Sequence, residues 1–211
     1  MTDSIPSTLT DDLLREGPAG ANFRLVLLHG WGADADDLLD LGQLLADGDT
    51  ELVALRAPDP HPMGYGRQWY DLQQPGWPEL AAARQALRLR LQKLSETMPL
   101  ERTVLLGFSQ GAAMGLDVAS GLPIAGLIAC SGYPHPDWLP QPPLTRVLIT
   151  HGTDDQVVPF AASGEVARRL SGAGGLVQVE SFDGGHTIDT SLFTPMREFL
   201  KLSRKPVPAQ D

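Results

Sequence analysis

Short runs of consecutive apolar residues recur along the chain, separated by longer stretches with a different spacing of apolar and polar positions. Such runs are typical of strands that are buried on both faces of a parallel sheet. Five runs are of this kind, and a sixth alternates apolar with polar residues, which indicates a strand nearer a sheet edge. The predicted strands cover residues 23–28, 52–55, 103–106, 124–129 and 146–150, with the edge strand at 176–180.

The segments between these runs carry helical periodicity. Leucines and an alanine recur every three or four positions over residues 79–97, with basic residues elsewhere, as in an amphipathic surface helix. Strands that alternate with helices predict a mostly parallel sheet with helices on both faces, the α/β class. The predicted helices cover residues 36–46, 79–97, 110–119, 161–171 and 191–202.

A chain of 211 residues is the right length for a single α/β domain, which we expect to span residues 1–211. Residues 1–20 are polar and acidic at their start, so we expect an irregular N-terminal segment without leading edge strands. The last residues, about 203–211, are expected to form a frayed tail.

Two proline-rich segments interrupt the alternation of strands and helices. Residues 57–78 hold five prolines and four aromatic residues, and residues 133–143 hold five prolines. Both follow predicted strands, and in a parallel sheet the loops after the strand carboxyl ends surround the ligand crevice. They are either rigid surface connectors or binding loops, and the aromatic residues favour the second interpretation.

Charge and composition limit the partners and the compartment. A formal net charge of −10 argues against nucleic acid and anionic membrane surfaces as partners. No apolar stretch reaches the ~18 residues of a membrane span, and the N-terminus lacks a secretory pattern. The one cysteine, Cys130, excludes an internal disulfide and fits a reducing compartment, so we expect a cytoplasmic protein without stable membrane insertion. Cys130 ends an apolar run and is interpreted as a buried, inert residue.

The sequence Gly107-Phe108-Ser109-Gln110-Gly111 fits the G-x-S-x-G pattern of a nucleophile elbow. An apolar strand precedes it and a helix rich in small residues follows it, which is the context that the pattern requires. Ser109 is therefore the candidate nucleophile. A serine hydroxyl needs a base, normally a histidine that is held by a carboxylate.

His186 is the best candidate for that base. In folds that carry a nucleophile elbow, the nucleophile, the acid and the base follow one another along the chain as serine, carboxylate and histidine. His186 lies in a glycine-rich loop after the last predicted strand, whereas His135 and His151 lack a suitable preceding acid. Asp154 and Asp155 follow the strand before it, so a carboxylate is available in the right order.

The remaining requirement is a pair of donors for a developing oxyanion. The backbone N–H of Gln110 is one candidate, and that of Trp31, in the His29-Gly30-Trp31-Gly32 turn after the first predicted strand, is the other. The turn has a simpler interpretation as a tight entry into the next helix. No metal or cofactor is expected, because H-E-x-x-H and paired His/Cys patterns are missing from the sequence.

Four of these stretches together resemble the carboxylesterase/lysophospholipase family of α/β-hydrolases, which includes the acyl-protein thioesterases. They are LHGWGAD, GFSQGA, HGTDDQVVP and GGHTI, in order between about residues 22 and 200. The resemblance implies an α/β-hydrolase fold without a large lid domain. It also selects Asp155 over Asp154 as the acid, and it aligns Trp69-Tyr70-Asp71 with an aromatic motif of the family.

The leading hypothesis is a serine esterase or thioesterase that acts on a small-molecule ester or an acylated substrate through an acyl-enzyme. We expect Trp69 and Tyr70 to wall the substrate groove, with bulky Trp31 favouring short-to-medium acyl groups. The alternatives are a non-catalytic ligand receptor on the same fold, a thioesterase or lysophospholipase proper, and a serine peptidase or dienelactone-type hydrolase, the last usually with a cysteine nucleophile. The leaving group and the oligomeric state stay open.

Overall fold

One eight-stranded sheet organises the molecule, which we describe from a computed structural model over residues 4–10 and 12–205. Two further two-residue strands pair within the first proline-rich loop. The strands are Ser4–Thr10 (β1), Leu13–Pro18 (β2), Phe23–Leu28 (β3), Thr50–Leu55 (β4), Asp59–Pro60 (β5), Arg67–Gln68 (β6), Thr103–Phe108 (β7), Gly126–Cys130 (β8), Val147–Gly152 (β9) and Val177–Phe182 (β10).

Five α-helices connect these strands, and short 3-10 turns precede three of the elements. The α-helices are Leu39–Leu45 (α1), Leu80–Ser95 (α2), Gln110–Ala119 (α3), Ala161–Gly172 (α4) and Phe193–Ser203 (α5), and the 3-10 turns are Ala35–Leu38, Leu100–Arg102 and Thr190–Leu192. The expected frayed tail lies, from residue 206 onward, outside the described residues.

The strand order across the sheet is β1-β2-β4-β3-β7-β8-β9-β10, and the six strands from β4 to β10 in that order are parallel. The prediction of a mostly parallel sheet in an α/β-hydrolase fold is confirmed, and the strand predicted near an edge forms that edge as β10. No large lid domain occurs among the described residues.

Helices cover both faces of the sheet. On one face α2, α3 and α4 bury apolar side chains such as Leu91, Met114 and Val166 against the strands. On the other face α1 and α5 bury Leu39 and Met196 among others. The sheet is therefore enclosed between two apolar layers, and the loops at the strand ends are free to form a site.

The expected irregular N-terminal segment is wrong, because β1 and β2 occupy most of residues 4–18 as antiparallel strands. β2 pairs with β4, and the attraction across this edge is partly ionic. The carboxylate of Glu51 on β4 forms ion pairs with Arg15 on β2 and, at 2.7 Å, with buried Arg24 on β3. Polar residues therefore join these strands, and a search for apolar runs overlooks them.

Candidate active site

Ser109 lies on a sharp turn between β7 and α3. Its backbone has φ 54° and ψ −117°, in the left-handed half of conformational space that L-residues seldom adopt. Its N–H donates to the carbonyl of Cys130 at 2.8 Å, which ties the turn to β8. Gly111 makes the turn possible, because a Cβ there would lie 2.0 Å from the carbonyl oxygen of Leu28.

His186 connects Ser109 to Asp155. Its Nε2 is 3.0 Å from Ser109 Oγ and its Nδ1 is 2.7 Å from Asp155 Oδ2, both hydrogen-bond distances. The ring packs beside Phe108, with ring centroids 4.8 Å apart. Loops after β7, β9 and β10 therefore bring together three residues that are far apart in sequence.

The carboxylate of Asp155 is held from several sides. Its Oδ1 accepts the backbone N–H groups of Val157 and Val158 at 2.8 and 2.9 Å. Burial by itself would raise the pKa of Asp155, but the hydrogen bonds from His186, Val158 and Val157 outweigh it and lower the pKa below its ordinary value. The carboxylate is therefore ionised at neutral pH and its second oxygen is fixed against His186.

Asp154, the neighbouring acid, has a different environment. Its side chain is exposed, whereas that of Asp155 is fully buried. Buried His151 supports the Asp155 loop, because its Nε2 lies 2.9 Å from the carbonyl oxygen of Val158 and 3.3 Å from Asp155 Oδ2.

The two candidate oxyanion donors are the backbone N–H groups of Gln110 and Trp31. Gln110 is the first residue of α3, so no carbonyl of that helix accepts its N–H. Trp31 follows Gly30, where a Cβ would lie 3.5 Å from Ser109 Cβ. Among the described residues no protein group accepts the N–H of Trp31. The Trp31 indole packs against His61, with ring centroids 4.1 Å apart, and its Nε1 donates to the side-chain carbonyl of Gln68 at 2.8 Å.

Trp69 and Tyr70 depart from the expected groove wall. They are 1% and 0% exposed and belong to the core on the α2 face, so their rings cannot form an open surface. The buried side chain of Gln110 accepts the N–H of Trp69 at 3.0 Å and donates to the carbonyl of Tyr70 at 2.8 Å. Trp69 Nε1 also donates to the carbonyl of His29 at 2.9 Å. The two buried residues therefore position, through these hydrogen bonds, the loops that carry His29 and Gln110 near Ser109.

An apolar groove opens beside His186 instead, on the α1 face of the molecule. Its volume is about 370 Å³, and it lies between α1, the His186 loop and the start of α5. The leucines at positions 38, 41 and 44 form one side of it. The lining residues are Asp37, Leu38, Leu41, Leu44, Phe108, His186, Thr187, Ile188 and Phe193.

A larger concavity of about 1080 Å³ lies at the opposite, amino-terminal edge of the sheet, where Phe23 and Ala125 begin or precede strands. It contains none of the residues grouped around Ser109. Proximity to the elbow, rather than size, therefore identifies the groove that is relevant to chemistry.

Comparisons with known proteins show the family of the chain. The family model described as Phospholipase/Carboxylesterase matches residues 17–204. The chain belongs to the phospholipase/carboxylesterase family. The crystal structure of esterase PE8 is 31% identical in sequence, with a TM-score of 0.77, and the match covers 86% of this chain and 93% of that one.

Two relatives of this phospholipase/carboxylesterase chain are named for an activity. Acyl-protein thioesterase 1 of Eremothecium gossypii is 30% identical over 130 residues, which is 56% of this chain and only 55% of that protein. Esterase YpfH of Escherichia coli is 29% identical over 179 residues, 78% of this chain and 76% of that one. The family model and the esterase relatives make this chain a carboxylic ester hydrolase of the phospholipase/carboxylesterase family.

The part of this family member that the structure describes holds neither a membrane-spanning helix nor a metal-binding cluster. No helix among the described residues is long and apolar enough to cross a membrane. Within residues 4–10 and 12–205, no group of three or more histidine, cysteine or acidic side chains is arranged to hold a metal ion.

Sequence reasoning missed the apolar groove of this esterase-like chain. Leu38, Leu41 and Leu44 recur every three residues, and the pattern predicts a helix whose leucines face the core. In the structure Leu38 is buried while Leu44 is 53% exposed at the groove. The sequence does carry a sign of the groove, because the leucines form a stripe that is wider than the core can bury. Only the position of α5 shows that the exposed part of this stripe lines a groove.

Proposed function

We propose that this chain hydrolyses carboxylic esters with short-to-medium acyl groups through an acyl-enzyme on Ser109. The observation that carries the proposal is the unbroken contact from Ser109 Oγ to His186 at 3.0 Å and on to Asp155 at 2.7 Å, at a strained turn. Simple ligand binding needs no such arrangement, which argues against a receptor on the same fold.

The proposed reaction has two halves. Ser109 Oγ attacks the carbonyl carbon while His186 Nε2 takes its proton, and the imidazolium then gives that proton to the leaving oxygen or sulfur as the acyl bond breaks. Water enters and adds to the acyl carbon while His186 Nε2 takes a proton from it, and the imidazolium then returns that proton to Ser109 Oγ as the bond to the enzyme breaks and the acid leaves. The Asp155 carboxylate holds Nδ1–H of His186 and stabilises the imidazolium in both halves.

The proposed oxyanion donors are the backbone N–H groups of Trp31 and Gln110. Among the described residues no protein group accepts either N–H. Gln110 follows Ser109 directly, and Trp31 follows Gly30, which packs against Ser109. Such preorganised donors stabilise charge that develops on the carbonyl oxygen in the transition state. The proposed role of Trp69 and Tyr70 is to position Gln110, because their backbone groups hold its side chain.

The acyl group is proposed to enter the groove beside His186. Its lining is mainly aliphatic and aromatic, and it begins at Phe108 and His186, next to the nucleophile. A groove of about 370 Å³ suits a short or medium chain better than a long one. The proposed setting is a reducing compartment such as the cytoplasm, since Cys130, the one cysteine of the chain, is buried and unpaired.

Thioester cleavage is the second candidate. The similarity to an acyl-protein thioesterase over 56% of the chain favours it, and the same three groups would perform it. Matched oxygen and sulfur esters of one acid, such as ethyl butanoate and S-ethyl thiobutanoate, distinguish the two through their relative kcat/KM.

Labelling with a fluorophosphonate tests the nucleophile. We expect one adduct per chain, placed on Ser109 by mass spectrometry, and hydrolysis of p-nitrophenyl butanoate that Ser109→Ala abolishes. The matched control is Ser95→Ala on α2, which should keep both labelling and turnover. An adduct elsewhere, or turnover that survives Ser109→Ala, contradicts the proposal.

A further inference from the structure

A second chain of polar side chains lies beside the elbow, on the α2 face. Tyr133 and Tyr70 share a hydrogen bond of 2.6 Å between their hydroxyls, and Tyr70 Oη is 2.9 Å from His135 Nε2. The other ring nitrogen, Nδ1, is 2.6 Å from Oδ2 of Asp117. The same oxygen of Asp117 pairs with Arg84 Nε at 2.5 Å. None of these side-chain groups has a role in the proposed hydrolysis, in which Tyr70 takes part only through its backbone carbonyl.

The direction of each hydrogen bond in this chain follows from the end at Arg84. Arg84 can only donate, so Oδ2 of the Asp117 carboxylate is an acceptor. The hydrogen on His135 therefore resides on Nδ1, which donates to Asp117. In the neutral imidazole the other nitrogen, Nε2, must then accept.

That acceptor sets the orientation of both tyrosine hydroxyls. Burial raises the pKa of Tyr70, and it raises the pKa of Tyr133 to about 12, so each ring keeps one O–H to donate. The side chain of His135 is fully buried, and leaving Nε2 without a donor would be costly, so Tyr70 donates to it. Tyr70 Oη is then free only to accept, and Tyr133 donates to it.

Tyr133 is thereby left with lone pairs and no hydrogen to offer. It is only partly buried, and among the described residues no second group donates to its oxygen. A hydroxyl that normally both donates and accepts thus offers its surroundings an acceptor alone.

The position of Tyr133 relates this acceptor to the nucleophile. Tyr133 follows β8 by three residues, and the carbonyl of Cys130 at the end of β8 accepts the N–H of Ser109. Gln110, next to Ser109, donates to the carbonyl of Tyr70. Tyr70 belongs to the core on the α2 face, whereas the groove beside His186 is on the α1 face. Tyr133, which hydrogen-bonds Tyr70, therefore lies toward the α2 face, whereas the groove lies on the α1 face.

We infer that Tyr133 Oη is a specificity-determining acceptor that selects substrates whose leaving group carries a hydroxyl or N–H donor. The inference rests on the proposed function, in which the acyl chain occupies the groove and leaves the Tyr133 side to the alcohol or thiol. A hydroxylated alcohol, such as a diol or a polyol, is the leaving group that satisfies this acceptor without adding charge.

Three butanoate esters with nearly the same shape test this inference at pH 8. 2-Hydroxyethyl butanoate carries a donor, 2-methoxyethyl butanoate carries only acceptors, and propyl butanoate carries neither. For the wild type we expect kcat/KM to be about tenfold higher for the hydroxyethyl ester than for the other two, which is the effect of one hydrogen bond. Tyr133→Phe should reduce that ratio to near one.

Tyr70→Phe tests the direction of the hydrogen bonds. Without the Tyr70 oxygen, Tyr133 has its own hydrogen free to donate, so the methoxyethyl ester should gain on the propyl ester and on the hydroxyethyl ester. Tyr65→Phe, which removes the hydroxyl of the third and exposed tyrosine, is the matched control and should keep the wild-type ratio. Thermal melts report whether each variant is folded.

Failure of the inference and failure of the proposed function give different results. A wild-type ratio near one, or a tenfold ratio that survives Tyr133→Phe, overturns the inference while ester hydrolysis continues. An unchanged order of esters in folded Tyr70→Phe overturns the direction of the hydrogen bonds. If neither these esters nor p-nitrophenyl butanoate is cleaved and Ser109 takes no label, the proposed function itself fails.

Discussion

At the scale of single residues, Asp155 and Asp154 have the same side chain but differ in burial and in hydrogen-bond partners. Two backbone N–H groups and the ring of His186 hold the buried carboxylate of Asp155. The side chain of Asp154 extends into solvent. Adjacent residues of one chemical type therefore have unequal roles, and the difference comes from the direction in which the loop after β9 points each side chain.

The pair Asp155→Asn and Asp154→Asn measures this difference. We expect Asp155→Asn to lower kcat by about 10³ to 10⁴, because an amide in place of the carboxylate favours the wrong imidazole tautomer. Asp154→Asn should change kcat less than about threefold. Steady-state hydrolysis of p-nitrophenyl butanoate gives both numbers, and equal losses in the two variants would contradict the assignment.

At the scale of elements, the turn from β7 to α3 is the most demanding local structure near the site. It needs the positive φ of Ser109 and the close approach of α3 to the end of β3. The sequence pattern predicted both the turn and the helix after it, since small residues at fixed spacing are what such a crossing requires. The helix begins and ends where the pattern places it, at residues 110 and 119.

Gly111→Ala should destabilise the protein by about 3 kcal/mol, the upper range for overpacking, because the new methyl group would meet a backbone carbonyl that cannot move aside. Gly164→Ala is the matched control: it lies inside α4, a Cβ there meets nothing within 4 Å, and helix propensity predicts a gain of about 0.5 to 1 kcal/mol. Urea unfolding measures both changes. A Gly111→Ala protein as stable as the wild type would show that the crossing is looser than described.

At the scale of the whole molecule, the groove depends on how α1, α5 and the His186 loop come together. Its aliphatic side comes from α1 and its opposite side from Ile188 and Phe193, which are about 150 residues later in the chain. A substrate preference that depends on this groove is therefore a property of the tertiary structure.

Leu41→Trp should fill the groove and shorten the preferred acyl chain. Each methylene that can no longer be buried costs about 0.8 kcal/mol, so kcat/KM for a hexanoyl ester should fall roughly tenfold or more. The acetyl ester should change less than about twofold. Leu89→Trp, at an exposed position on α2, is the control and should leave the chain-length profile as it is. The measurement is kcat/KM for p-nitrophenyl esters from acetyl to decanoyl, and a parallel loss at every length would contradict the proposed acyl site.

The sequence by itself determined the type and order of the main elements and the order of Ser109, an acid and His186 along the chain. Apolar periodicity carries this information locally, because a strand or a helix must bury one side wherever it packs. The parallel arrangement then follows, since strands joined through helices place their carboxyl ends at one edge. Residues that follow those ends, such as Ser109 and His186, therefore lie at the same edge of the sheet.

Only the tertiary structure decided what depends on remote partners. β2 escaped prediction because Glu51, on a strand far along the chain, supplies the charge that Arg15 needs. The sequence predicts Trp69 and Tyr70 as groove residues, whereas in the structure the side chain of Gln110 holds their backbone in the core. The pairing of Tyr133 with Tyr70 joins two loops that are 63 residues apart. Packing between distant segments has no period along the chain, so no local pattern records it.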